Sequence, residues 1–327
     1  MLDPPSVVLA PLAGGPSTPE LAAAVSNAGG LGFVAAGYLA AEELAARIEQ
    51  ARRLTHGPLG VNVFVLERAD VDGEAVAAYA RELEPDARRL GVELGEPRFD
   101  DDELAAKVEA ASGAVEVLST TFGCLPPAIV SSVRSAGTSV WATVTSPTEA
   151  RAAQDAGVDA LVVQGAEAGG HGGSWDDAGE PVPLRDLLRA VRAAVDLPLI
   201  AAGGIADGRA AAAALEAGAV AVQAGTAFLL APEAATSEPH RRALAARRHT
   251  ALTRAFTGRR ARGIANEFMR RHPEAPSAYP HINHLTAPLR AAARAAGDAE
   301  SINLWAGVNH DRAEARPAAE IVARLQA

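Results

Sequence analysis

Short β-rich apolar runs alternate with Ala-rich segments of helical period from the N-terminus to about residue 230. The runs are Ser6–Ala10, Leu31–Ala35, Gly60–Val65, Val115–Ser119, Ser139–Val144, Ala160–Gln164, Leu197–Ala202 and Ala219–Ala224. Between them the pattern predicts helices over Thr18–Ala28, Ala40–Leu54, Asp101–Ala111, Ala128–Ala136, Pro147–Ala156, Leu184–Val195 and Asp207–Ala217. Thr18-Pro19 and Ser146-Pro147 place a cap residue before a proline at the first helical position, a start signal. Gly137, Gly157 and Gly218 each follow a helical segment, where a left-handed stop is expected.

Repeated strand–helix alternation argues for a parallel sheet covered by helices. Eight strands in this rhythm predict an α/β fold, a closed (β/α)8 TIM barrel, over an open doubly wound sheet. A dinucleotide-binding sheet needs a Gly-rich turn after its first strand, and Pro11-Leu12-Ala13-Gly14-Gly15 lacks that spacing. Two stretches break the rhythm. Glu67–Pro97 is charged and carries turn signals, so it reads as an excursion between the third strand and its helix. The segment from Pro232 to Asn309 is rich in Arg, His and Pro, with helical pieces at Pro239–Thr253 and Ala287–Ala296. The expected organisation is a barrel over 1–230 completed by a final helix in 311–327, with a helical subdomain over 231–310.

Charge and cysteine usage narrow the function classes. The net charge is -10, with no basic patch, so nucleic acid is an unexpected partner. The longest apolar runs fall short of a membrane span and are broken by glycine, so a membrane partner is not expected either. The single Cys124 excludes an intrachain disulfide framework and suits a reducing cytoplasm. No signal-peptide pattern is visible at Met1-Leu2-Asp3-Pro4-Pro5. Lys107 is the only lysine and sits in a charged helical pattern, where it is expected to be solvated.

Candidate chemistry gathers where barrel strands end, the usual place for an active site in this architecture. His171 stands among Gly165, Gly169, Gly170, Gly172 and Gly173, directly after the sixth strand. Glycine lets the backbone meet a ligand closely, and an imidazole exchanges protons near neutral pH. Ala10, Pro11 and Leu12 follow the first strand, Gly203 and Gly204 the seventh, and Gln223, Ala224, Gly225 and Thr226 form the end of the eighth. Paired glycines after strands seven and eight predict a phosphate cradle of backbone N–H groups, with the Thr226 hydroxyl and the N-terminus of the Asp207–Ala217 helix adding to it. Asn62, Gln164 and Gln223 are amides at strand ends. Together they suit the edge of a planar heterocycle such as a flavin, although each alone is satisfied as well by neighbouring backbone. No metal is expected: His281 and His284 lack a third ligand nearby. His56, His240, His249, His272 and His310 sit among charges or turns and read as solvated, and Cys124 as an inert thiol.

The set Ala10–Gly15, Gly60–Phe64, Gln164–Gly173, Ala201–Asp207, Gln223–Phe228 and Asn303–Gly307 resembles nitronate monooxygenase, also called 2-nitropropane dioxygenase. The similarity runs over essentially the whole chain. The same motifs occur in flavin-dependent enoyl-acyl-carrier-protein reductases and some NADH:quinone reductases of that superfamily. The resemblance implies FMN as cofactor, a nitronate or similar small molecule and O2 as reaction partners, and a homodimer as candidate assembly. It implies that Asn62, Gln164 and Gly169 contact the flavin, and that Gly204 and Gln223–Thr226 hold its phosphate. His171 is then the catalytic base, taking the α-proton of a nitroalkane or positioning a nitronate. Two departures from the family pattern bear on substrate: Thr120 and Thr121 replace an aromatic and a His, and Val308 replaces a Gln. A specificity pocket is expected from Leu12, Thr121, Cys124 and the insertion. The alternatives are an NAD(P)H-dependent enoyl-thioester or quinone reductase, and a non-catalytic sensor of a phosphate-bearing ligand.

Overall fold

The computed structural model describes residues 4–246 and 248–326. In chain order the barrel half runs β1 (Val7–Leu9), α1 (Pro19–Asn27), β2 (Gly32–Ala35), α2 (Ala41–Leu54), β3 (Leu59–Phe64), α3 (Gly73–Leu90), α4 (Leu104–Ala111), β4 (Val117–Thr121) and α5 (Pro127–Ser135). It continues through β5 (Ser139–Val144), α6 (Pro147–Asp155), β6 (Ala160–Gln164), β7 (Gly170–His171), α7 (Leu184–Arg192), β8 (Leu199–Ala202), α8 (Gly208–Glu216) and β9 (Ala221–Ala224). Then follow α9 (Glu238–Ala245), β10 (Thr250–Thr253), β11 (Ala261–Ile264), α10 (Glu267–Arg271), α11 (His281–Ala295) and α12 (Ala318–Gln326).

Eight of the strands form one parallel sheet in the order β1-β9-β8-β6-β5-β4-β3-β2. A parallel bridge between Val8 and Leu31 brings its two edges together, closing the TIM barrel expected from the alternation. Strand residues alternate between two cores, as the pleat requires. Val8, Phe33, Trp141, Val162 and Ile200 pack inside the barrel, whereas Val7, Leu9, Val61 and Val163 pack outward against the helices. The predicted start and stop signals act as read. Thr18 accepts from Leu21 N–H at 2.9 Å, Ser146 accepts from Glu149 N–H at 3.2 Å, and Gly137, Gly157 and Gly218 have φ of 92°, 86° and 100°.

Three regions differ from expectation. The Pro239–Thr253 helix stops at Ala245, and Thr250–Thr253 pairs antiparallel with β11. The hairpin is decided by a tertiary partner, because β11 also pairs with β7 from the barrel. The 67–97 excursion contains the long helix α3, whose Val76, Tyr79 and Leu83 pack with Phe256, Phe268 and Ile282. It thereby joins the segment after β9 as one lobe over the barrel mouth. Finally, three of the histidines read as solvated are buried: His240, His272 and His310. His272 ties α3 to the segment after α10, with Glu82 at 2.5 Å and Asp86 at 2.9 Å. Lys107 is likewise buried, 2.8 Å from Asp102. That ion pair is what lets an ammonium group enter the packed space beneath α4.

Candidate active site

A cavity of about 1010 Å³ lies at the C-terminal ends of the barrel strands, beneath the lobe. Its volume is at the upper end of the ~300–1,000 Å³ usual for ligand sites. Every residue named from the sequence as a catalytic or cofactor-binding candidate lines it. Ala10, Pro11 and Leu12 come from the turn after β1, and Asn62 from β3. Gln164 ends β6, and Gly169, Gly170 and His171 follow it. Gly203 and Gly204 leave β8, and Gln223, Ala224, Gly225 and Thr226 leave β9. Thr121 is also on the wall, but Cys124 is not among the lining residues. Burial pushes the Cys124 thiol up to about 11, which leaves it protonated and unreactive at neutral pH.

The glycine-rich loop is clasped from three sides. Gly170 and His171 pair with Arg262 and Ala261 of β11. Gln164 donates to the His171 carbonyl at 3.1 Å and accepts from Gly173 N–H at 2.6 Å, so both ends of its amide fasten the loop. On the third side, Val308 N–H donates to Glu167 O at 3.1 Å. A Cβ on Gly169 would come within 2.4 Å of the Ala306 carbonyl carbon and the Gly307 nitrogen. Only glycine permits that approach.

So positioned, the His171 ring sits in an aromatic cage. Its centroid is 5.9 Å from Phe122, 5.7 Å from Tyr279 and 5.5 Å from Trp305. Nε2 lies 2.9 Å from the Thr257 hydroxyl. Burial, then the positive charges of Arg259 and Arg290, pull the imidazole down to about 3. A neutral ring with a free nitrogen lone pair is therefore the resting form at pH 7.

Opposite the loop, the ends of β8 and β9 offer donors. Among the described residues, the N–H groups of Gly204, Gly225 and Thr226 have no protein acceptor. Gly204 has φ of 71°, and its carbonyl is turned to accept from Asn309 at 2.7 Å. Thr226 Oγ1 accepts from Gly307 N–H at 3.0 Å, leaving its own hydroxyl proton to offer. The N-terminus of α8 contributes less than expected, because Asp207 caps it, accepting from Ala210 N–H at 2.9 Å. Asn62 donates to Ser119 Oγ at 2.9 Å and Thr121 Oγ1 at 3.0 Å. Gln223 is buried with no hydrogen bond to a described residue, and its amide faces the cavity. With donor and acceptor both unspent and open to the cavity, the Gln223 amide is available to a ligand.

Sequence reading missed the lobe's share. Tyr279, Thr257 and Arg290 lie 86 to 119 residues beyond His171 and carry no motif. In a chain whose basic residues are almost all arginine, one arginine in a helix does not stand out. Phe122 has φ of 75° and brings an aromatic ring to His171 from the loop where Thr120 and Thr121 depart from the family pattern. Thr120 itself is buried, donating to Gly123 O at 2.8 Å. Val308 is 39% exposed and lies off the cavity wall.

Comparison with known proteins agrees with this geometry. The family model described as nitronate monooxygenase matches residues 3–327. A probable nitronate monooxygenase of Staphylococcus aureus (strain Newman) is 36% identical over 321 residues, spanning 95% of this chain and 90% of the relative. The crystal structure of nitroalkane oxidase from Streptomyces ansochromogenes superposes with a TM-score of 0.95 at 47% identity, covering 98% of this chain and 94% of that one. FabK from Thermotoga maritima is further off, with a TM-score of 0.75 at 28% identity over 98% of this chain and 91% of its own.

Proposed function

The chain belongs to the nitronate monooxygenase family and is an oxidoreductase; from that premise we propose that it binds FMN in the cavity and oxidises alkyl nitronates with O2 to a carbonyl compound and nitrite. The residues present fit such a cofactor. The free N–H groups of Gly204, Gly225 and Thr226 suit a phosphate, and the unpaired Gln223 amide, with Asn62, suits the edge of a flavin ring. Gly169 brings the His171 loop against the same space. Bound FMN would supply the electron transfer and the reaction with O2.

The protein's own part is to bind, orient and hold a charge state. The observation that carries the reading is the neutral, caged His171 with Arg259 and Arg290 close enough to depress its basicity. A neutral nitroalkane must surrender its α-proton to an imidazole that this surrounding keeps unprotonated, which is uphill. A nitronate arrives already deprotonated, and its negative charge is welcomed by the same arginines. His171 then orients the anion and takes up a proton only as that charge enters. Thr257 holds the ring in place, and Phe122, Tyr279 and Trp305 exclude water from its faces.

FMN-loaded protein in air tests this. Nitrite release and O2 uptake are expected from freshly prepared nitronates at rates at least about tenfold above those of the parent nitroalkanes at pH 7. No nitrite from either form overturns the reading. The likeness to FabK favours a second reading, an NAD(P)H-dependent reductase, for which NADH or NADPH and not a nitronate is the electron donor.

A further inference from the structure

Lys107, the only lysine in the chain, is fully buried on α4 and lies off the cavity wall. Its Nζ is 2.8 Å from Asp102 Oδ2, and neither atom has another partner among the described residues. Exchanging a buried ion pair for neutral side chains of similar size often leaves stability unchanged, so stability alone does not account for this pair. Asp102, unlike Lys107, is on the cavity wall. Its second oxygen, Oδ1, accepts from Tyr38 N–H at 3.0 Å. The neighbouring residue repeats the contact, since Glu103 Oε2 accepts from Ala41 N–H at 2.9 Å.

The two facing turns share an unusual backbone: φ is 70° at Tyr38, 56° at Asp102 and 52° at Glu103. A bulky side chain rarely takes that left-handed conformation, and it persists only where its surroundings over-determine it. For Tyr38 the hydrogen bond from Asp102 supplies that constraint. The Tyr38 ring, so placed, closes a circuit of aromatics on the cavity wall. It meets Phe64 edge-on at 5.5 Å, Phe64 meets Phe122 at 4.8 Å, and Phe122 meets Tyr279 at 5.6 Å. Tyr279 Oη then donates back to Tyr38 Oη at 3.3 Å. Phe122 and Tyr279 are two of the three rings that cage His171. We propose that Lys107 and Asp102 are positioning residues for His171: the buried pair fixes the Tyr38 turn, and the Tyr38 hydroxyl holds Tyr279 against the imidazole. The arrangement of His171 is independent of the reaction, whereas its use in nitronate turnover rests on the function proposed above.

The test treats FMN-loaded protein with diethyl pyrocarbonate and follows acylation of His171 by peptide mass spectrometry, with the exposed His56 as internal reference. Lys107→Met with Asp102→Asn gives a neutral pair of nearly the same shape. In that double variant His171 is expected to react about fivefold faster than in wild type, with His56 unchanged. Tyr38→Phe removes only the hydroxyl and is expected to give a similar rise. The triple variant is expected to exceed neither, because both changes break one chain of contacts. With the nitronate of 1-nitropropane, kcat should fall about fivefold in each variant while KM stays within about twofold. Unchanged His171 reactivity in the double variant or in Tyr38→Phe overturns the proposal. So do multiplied effects in the triple variant, which would give the pair a route to His171 that bypasses Tyr38. Loss of urea stability in the double variant also overturns it, by making the pair a structural support. If wild-type enzyme turns over no nitronate, the functional reading fails, and the His171 rates still decide the positioning role.

Discussion

Gly169→Ala tests how tightly the His171 loop is clasped. The added methyl carbon would stand 2.4 Å from two backbone atoms and 2.8 Å from the Ala306 Cα. Ordinary carbon contacts lie near 3.5–4.0 Å, so one backbone segment must retreat by about 1 Å. Overpacking against a backbone that cannot rotate away costs about 1–3 kcal/mol. The retreat also strains the Val308–Glu167 and Gly307–Thr226 hydrogen bonds, each worth about 1 kcal/mol. A loss of about 2–4 kcal/mol in urea unfolding is expected, with FMN affinity falling at least tenfold because Thr226 moves with Gly307. Gly172→Ala is the control, since its Cβ would meet only Arg260 O at 3.7 Å. That change is expected to stay within about 0.5 kcal/mol. Equal behaviour of the two variants would refute the clasp.

Three further outcomes follow from the same geometry. Thr257→Val removes the hydroxyl 2.9 Å from His171 Nε2 and is expected to lower kcat for nitronates about tenfold, with Thr257→Ser restoring it; no change would deny Thr257 a positioning role. Because His171 is held down at about 3, it stays neutral above roughly pH 4, and kcat/KM for preformed nitronate should show no His171-dependent acid limb between about pH 5.5 and 8. A limb near 6.5 that disappears in His171→Gln would contradict this. For stability, burial pushes the Asp86 carboxyl up, but His272 and Arg271 outweigh it and hold it below its ordinary value. Its contribution is therefore present above the ordinary carboxylate range and lost as pH falls through the depressed value. Asp86→Asn should cost about 3 kcal/mol at pH 7, and the gap to wild type should narrow in acid; a constant gap would place the effect elsewhere.

The barrel was legible because its strands are local apolar runs, each bounded by a cap or a glycine that acts over a few residues. Ser139–Val144 and Ala160–Gln164 appear with the very bounds read from the pattern. The glycines at the ends of β8 and β9 were legible for the same reason, since each is fixed by the strand before it. What escaped depends on distant partners. Thr250–Thr253 became a strand because β11 lay beside it, and α3 found its packing surface on the lobe after β9. His171 itself was visible, but its state was not. The glycine-rich context told only of a backbone able to meet a ligand closely, whereas Arg262, Gln164 and Thr257 pin the loop and ring. The same distance hid Lys107 and His272, whose carboxylate partners no local pattern announces.

Anaerobic rapid mixing of the FMN-loaded protein tests the account most directly. Bleaching of the flavin absorbance by a nitronate, with NADH and NADPH leaving it unchanged, is the predicted result. Rapid bleaching by NADH or NADPH with none by the nitronate would contradict it.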